Sequence, residues 1–460
     1  MPAEITSRVE EAIEFAALHG LLKKSPEGRL VHAPFALTPC PIDADSNRRL
    51  EALSAPFNRL VDSVSKQLEF LQEALADAAA ADAFTDSLLK MAAASGPRQA
   101  LQFQITRSDY FLQAPPQGEA PPLVRQVELN TIASSYPGSA GRLYLLHRHL
   151  FAGTAAADRL VPNDPLPGLA EGFFQAFRCY GHENACVLMV VQPAEGNVFD
   201  QRLLELALRE RGIPVLRLPL EEIAARGRLL EGHLAFSGQV AAVTYFRAGY
   251  TPDDFPSPDA FKGRELIENS STISVPNLAT QLAGTKKVQQ LLTDGATLRR
   301  FCDEKDARAM EATFAAIYDL DDEVQTPDGP TPAWKAAARA PGQFVLKPQR
   351  EGGGNNLYDE ELAARLSHSS PEERKAYVLM ERIRPIPHHA AVVADGRLKE
   401  EKSVSEIGRF GVYLADGPRE LMNIDAGYLV RTKGHEVREG GVTAGYAYLN
   451  SLIEEPPPHP

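Results

Sequence analysis

The sequence predicts an α/β protein with α+β character, and three observations carry that expectation. Residues 185–250 alternate strand, helix and strand at the spacing of a parallel βαβ unit. Residues 57–75 carry apolar side chains at helical intervals. Hydrophobic residues at 44% against 24% charged are ordinary globular composition. A length of 460 residues, at about 150 per domain, suggests roughly three domains and allows a sizeable core.

Taken in order, the amino terminus MPAEITSRVEEAIEFAALHG reads as an acidic amphipathic helix with Ile5, Val9, Ile13 and Leu18 near one face. A secretory leader needs a basic start and an unbroken apolar stretch. Phe57, Leu60, Val61, Val64, Leu68, Leu71 and Leu75 then predict one helix of roughly five turns, continued through an alanine-rich run to about Met91. Gln102–Phe111 and Val124–Thr131 read as strands. The connection between them, QAPPQGEAPP, is too rich in proline to join a sheet and reads as a mobile loop. The run ACVLMVV (185–191) is a buried strand, DQRLLELALRERG a helix closed by Gly212, and IPVLRLPL and VAAVTYF are further strands. Ligands in such sheets sit beyond the carboxyl ends of strands, which directs attention to QPAEGNVFDQ and RAGYTPDD. Later strands are QFVLKP (343–348) and AYVLMERI (376–383).

Charge and cysteine usage narrow the function. Lys and Arg total 48 against 61 Asp and Glu, a net charge of −13. With no basic run longer than a pair, a nucleic-acid binder is not expected. The four cysteines form no CxxC pair, so neither a zinc ribbon nor a disulfide framework is offered. The longest clean apolar run is seven residues, Ala185–Val191, against about 20 for a membrane span. A cytoplasmic protein with no membrane partner is expected.

The most informative segment is VLKPQREGGGNNLY (345–358). A strand delivers Lys347, Arg350 and Glu351 into Gly352, Gly353 and Gly354. Consecutive glycines let backbone N–H groups approach an anion, to which the lysine adds charge. It is neither a Walker A loop nor GxGxxG, and a bare glycine triplet is equally a surface loop; the flanking charges favour phosphate. In VRQVELNT, Glu128 and Asn130 are two apart and share one strand face, with Val127 and Leu129 on the other. Together with Glu351, their oxygens would suit Mg²⁺. Arg107, Arg247, Lys286, Arg431 and Lys433 are scattered cations that could offer an acidic protein one anion site. A charge pair at about 4 Å outweighs distant charge screened over a Debye length of about 8 Å. His147-Arg148-His149 and His388-His389 lack metal-ligand spacing.

In combination the segments resemble eukaryotic-type glutathione synthetase, an ATP-grasp ligase. The strings VELNTI, NVFDQR, YFRAGY, TQLAGTKKVQQ, KPQREGGGNNLY, LMERI, SEIGRFGVY and RTKGHEVREGGVTAG occur in family order from about Arg107 to Gly445. The resemblance implies an ATP-grasp fold with a parallel-sheet substrate domain and a glycine-rich lid. It divides the chain at 1–184, 185–285 and 286–460, with the lid over about 343–400 and a glycine- and alanine-rich loop over 431–445. It further implies a homodimer joining γ-glutamylcysteine to glycine with ATP and two Mg²⁺.

Residue by residue, the resemblance makes Glu128, Asn130 and Glu351 the Mg²⁺ ligands. ATP would be held by Lys286, by Lys347, Pro348, Gln349, Arg350, Glu351, Gly352, Gly353, Gly354, Asn355 and Asn356, and by Tyr358. Met380, Glu381, Arg382, Ile383, Glu406, Lys433 and Glu439 would complete that site. The dipeptide would meet Arg107, Ile132, Ala133, Ser134, Ser135, Glu195, Gly196, Asn197, Gln201, Arg247, Ala248, Gly249, Tyr250 and Arg431, with Val442 and Thr443 beside the acceptor. Arg107, Lys347 and Arg431 would be catalytic. The chain departs from the family at Ala133 (serine in animal enzymes), Ala248 (acidic), Glu439 (aspartate) and Thr443 (alanine). The last keeps β-alanine or serine open as acceptor; a non-catalytic nucleotide-binding regulator is the remaining alternative.

Overall fold

The computed structural model of the chain describes residues 2–95, 100–115, 121–348, 355–438, 440–442 and 445–455, with side chains described from Arg8 onward. Gln349, Arg350, Glu351, Gly352, Gly353, Gly354, Glu439 and Thr443 lie outside the described residues, as do residues 116–120 of the proline-rich connection.

Two large sheets organise the chain. The first has seven strands in the order His388–Ala394, Phe35–Ala36, Tyr448–Asn450, Arg419–Gly434, Arg397–Asp416, Leu101–Gln113 and Leu123–Asn130. It is antiparallel apart from the pairing of Leu449 with Phe35, and it curls so that His388–Ala394 also pairs with the start of Arg397–Asp416. The second sheet contains the expected parallel unit. Ala185–Val190 pairs in parallel with Val215–Leu218 and with Gln239–Phe246, which in turn pairs with Ile273–Val275. The expected helix between the first two of these strands is Val198–Glu210. Every residue of Ala185–Val190 is buried, as both faces of a parallel sheet require.

The helix Pro165–Tyr180 lies between the two sheets. The Phe173 ring, fully buried, meets Phe103 of the antiparallel sheet edge-on at 5.0 Å and Tyr245 of the parallel sheet at 5.2 Å. Gly172 permits the close approach, because a Cβ there would stand 2.6 Å from Val412 Cγ1.

The long helix expected over 57–91 is instead three: Ala44–Ser65, Leu68–Ala81 and Ala83–Ser95. The break at Lys66–Gln67 follows from the backbone, since Gln67 sits at φ −108, ψ 71. The second break comes at Asp82, whose carboxylate accepts from Thr85 N at 2.9 Å and from its hydroxyl at 2.7 Å. This is the local competition with helix that short polar side chains offer. Apolar spacing continued in phase across both breaks, so periodicity alone could not find them.

A third sheet of three short strands includes Phe344–Pro348 and Tyr377–Glu381. It has its own small core of Leu320, Ala333, Ala337, Leu346, Leu362, Leu366 and Leu379. Among the described residues no helix is long and apolar enough to cross a membrane.

Candidate active site

A cavity of about 870 Å³ is lined jointly by the antiparallel sheet and the small three-stranded sheet. It gathers Arg107, Glu128, Asn130, Ile132, Ala133, Ser135, Tyr250, Lys286, Lys347, Asn356, Tyr358, Met380, Glu381, Arg382, Ile383, Glu406, Arg431, Lys433 and Val442. These come from segments up to about three hundred residues apart, brought together by strand register. Arg107 pairs with Asn130 and Asp109 with Glu128, while Glu406 pairs with Arg431 on the other side of the sheet.

Glu128 and Asn130 share one face as expected, and Leu129 is buried. Val127 departs from the alternation. A bulge opposite Asp109 and Tyr110 leaves it out of the ladder, and its carbonyl accepts from Lys347 Nζ at 2.9 Å. Lys286 Nζ donates to Glu128 Oε2 at 2.8 Å. Burial works against ionising Glu128, but Lys286, Lys347 and Arg431 outweigh it and hold the carboxyl well below the usual range. Burial pushes the Glu406 carboxyl up; Arg431 pulls it down, and Asp109 and Glu128 add to the upward shift, which prevails. Burial also opposes the charge of Arg431, yet contact with Glu406 and Asp109 keeps that guanidinium firmly protonated.

The other residues expected to meet the dipeptide make contacts among themselves and with neighbouring segments. Gln201 Nε2 donates to Glu195 Oε2 at 2.7 Å, and Glu195 Oε1 accepts from Asn197 N at 2.7 Å. Gly196 and Asn197 border a small neighbouring cleft with Tyr136, Ser139 and Val442. Arg247 Nη2 donates to Ser135 Oγ at 2.6 Å, and Gly249 N donates to Asp254 at 2.8 Å. Ala248 and Ser134 are buried. Pro348 ends its strand half-buried, and Asn355 is exposed. Among the described residues, Ser134 Oγ, Asn197 Nδ2 and Arg247 Nη1 are buried polar atoms without a hydrogen-bond partner. Such atoms cost free energy unless a ligand satisfies them, and a charged zwitterionic substrate end would do so.

The loop from Ala133 to Tyr136 is held in an unfavourable backbone. Ala133 has φ 51 and Tyr136 φ 75, conformations that cost about 1–3 kcal/mol each for residues other than glycine. Asp200 supplies the restraint: its carboxylate accepts from Tyr136 N, Gly138 N and Ser139 N at 2.9, 3.0 and 3.1 Å. The helix Pro137–Leu150 is thereby capped from another element.

With this geometry established, a comparison settles the family. The family model described as the ATP-binding domain of eukaryotic glutathione synthase matches residues 2–453. The chain belongs to the eukaryotic glutathione synthase family. Within that family, the glutathione synthetase of Bos taurus is 38% identical, with 97% of this chain and 96% of the relative covered. The chloroplastic glutathione synthetase of Solanum lycopersicum is 37% identical, over 98% of this chain and 85% of its own length. A solved glutathione synthetase-like effector from Globodera pallida, in apo form, shares the fold at a TM-score of 0.80 and 20% identity, covering 99% of this chain and 98% of that one.

Two acidic residues at this cavity are not among those the sequence singles out. Asp109 is fully buried beneath the cavity and pairs with Arg107; its sign in the sequence was its position two residues after Arg107 on one strand. Asp359 accepts from Arg382 at 2.9 Å and lies 3.0 Å from Arg438. It joins the small sheet to the loop after Arg431, and nothing in the local sequence signals that contact.

Proposed function

We propose that the chain is a glutathione synthetase that ligates γ-glutamylcysteine to glycine, giving glutathione, ADP and phosphate. The observation that carries this reading is one cavity in which Lys286, Lys347, Arg107 and Arg431 surround Glu128 and Asn130, in a chain whose relatives bear that name along nearly their whole length. A cysteinyl carboxylate oxygen attacks the γ-phosphorus of ATP, the bond to ADP breaks, and an acyl phosphate forms. The glycine nitrogen then attacks the acyl carbon, phosphate leaves, and the ammonium proton passes to solvent.

The protein's part in phosphoryl transfer is positioning and charge neutralisation. Lys286 and Lys347 face the phosphates, and Arg107 and Arg431 face the reacting carboxylate. Val345, Met380 and Ile383 give the same cavity an apolar wall suited to a purine ring. Closing the small sheet over the cavity would keep water from the acyl phosphate.

The donor set fits a hard divalent cation. Glu128 is held ionised, and Asn130 Nδ2 donates to Asp109 Oδ2 at 3.0 Å, leaving its amide oxygen to accept. Mg²⁺ takes few protein oxygens alongside phosphate. Glu128, Asn130 and Glu351 would hold it, and bound there it would neutralise charge on the phosphates. Among the described residues no three His, Cys, Asp or Glu side chains gather around a metal position. A cytoplasmic homodimer completes the proposal. The elements carrying exposed Leu18, Leu30 and Leu206 offer apolar surface for a second copy, and light scattering would measure the mass.

The decisive experiment is phosphate release from ATP with γ-glutamylcysteine, offering glycine, β-alanine, serine and alanine in turn. Glycine-dependent release with stoichiometric glutathione is expected. Preference for β-alanine or serine would reassign the acceptor, and ATP binding without turnover would favour a regulator.

A further inference from the structure

Asp109 has no exposed surface and does not border the cavity, yet it contacts three side chains that do. Its Oδ1 accepts from Arg107 Nε at 2.7 Å. Its Oδ2 accepts from Arg107 Nη2 at 2.7 Å, from Arg431 Nη2 at 2.9 Å and from Asn130 Nδ2 at 3.0 Å. The fork on Arg107 fixes the plane of that guanidinium and leaves Nη1, 3.4 Å from the Ser135 carbonyl, on the side of the dipeptide loop.

Arg431 does not lie on a strand next to Asp109. The strand Arg397–Asp416 runs between them, with Gly408 opposite both Asp109 and Leu429. A Cβ at Gly408 would stand 2.4 Å from Asp109 Oδ1 and 2.9 Å from Arg107 Cδ. The glycine therefore opens a lane across the sheet in which the two arginines can share one carboxylate. Glu406, two residues earlier on the same strand, contacts the same Nη2 of Arg431 that meets Asp109. The two cations are thus matched by two fixed carboxylates before any substrate arrives.

We propose that Asp109 is the positioning residue for the donor-carboxylate half of the reaction. It sets the guanidinium plane of Arg107, tethers Arg431 through Nη2 and turns the Asn130 amide, so that their remaining polar atoms meet the dipeptide carboxylate and the acyl phosphate already oriented. Orientation of this kind is the main source of electrostatic catalysis. The role rests on the ligase reading above.

Two variants of the full chain test it. Asp109→Asn removes the charge that holds the fork. Gly408→Ala keeps every charge and displaces only the carboxylate and the Arg107 stem. Both are expected to lower kcat for glutathione on the order of 100-fold, the loss that misplacement by about 1 Å can bring. Both should weaken calorimetric binding of γ-glutamylcysteine, while the Kd of a non-hydrolysable ATP analogue stays within about threefold of wild type. Circular dichroism and a melt check folding; if Asp109→Asn does not fold, the glycine variant carries the test alone. Wild-type kcat in Gly408→Ala, or parallel losses for nucleotide and dipeptide, would overturn the positioning role. A wild-type chain that makes no peptide with any acceptor would overturn the ligase reading, and this role with it.

Discussion

Lys286 Nζ and Glu128 Oε2 lie 2.8 Å apart across 158 residues of sequence, joining the start of the helix Lys286–Leu292 to the strand that carries the cavity's acidic oxygen. The pair does more than neutralise charge. Together with Lys347 and Arg431, it keeps a buried carboxylate ionised.

Replacing Lys286 by Met should therefore shift a titration as well as weaken nucleotide binding. With that cation gone, the largest of the lowering influences is lost, and the Glu128 pKa rises from its depressed value. In the wild type the stabilisation tied to ionised Glu128 is complete above the ordinary carboxylate range and is lost only as pH falls through the depressed folded value. The acid limb of kcat/KM for ATP should thus lie at higher pH in the variant. An unchanged acid limb would show that Glu128 is not the group whose charge matters.

His147 supplies a different pH dependence. It is fully buried, with Nδ1 near Ser451 Oγ and Nε2 near the Ala36 carbonyl, and burial lowers its pKa to about 4. Because the folded value lies below the unfolded one, its contribution is present above about pH 6.5 and fades as pH falls toward 4. The stability advantage of wild type over His147→Gln should shrink by up to about 3 kcal/mol across that interval. Urea unfolding at pH 7 and pH 4.5 measures it; a constant difference would contradict a neutral buried imidazole.

Gly172→Ala tests the packing between the sheets. The added Cβ would press on Val412 and on the Phe103 ring, 2.9 Å away, and overpacking of this kind costs about 1–3 kcal/mol. The melting temperature should fall while KM for each substrate stays near wild type, since no cavity residue is touched.

Leu362→Ala addresses the small core beneath the three-stranded sheet. Leu362 is fully buried there, and such truncations cost about 2–5 kcal/mol. The loss should fall on that unit. ATP affinity is expected to drop, and amide exchange should quicken in Phe344–Pro348 and Tyr377–Glu381 while Ala185–Val190 stays protected. Uniform loss of protection would mean that the two cores melt as one.

The residues legible in the sequence were those whose chemistry is written locally. Glu128 and Asn130 share a strand face, Lys347 ends a strand beside glycines, and the parallel unit announces itself by alternating patterns. Asp109 was legible only as a strand neighbour of Arg107; its reach to Arg431 depends on Gly408, from a strand three hundred residues later, leaving room for its carboxylate. Likewise, nothing beside Asp200 in sequence reveals that it caps a helix beginning more than sixty residues earlier. Local pattern reports what a side chain can do; register and close approach decide what it meets.

Ser135 also has a metrical consequence. Its hydroxyl accepts from Arg247 Nη2 at 2.6 Å, and its carbonyl lies 3.4 Å from Arg107 Nη1, so one short residue spaces a cation beside the parallel sheet from a cation of the antiparallel sheet. A longer side chain at 135 would wedge the two guanidinium groups apart and alter the gap offered to any anion between them.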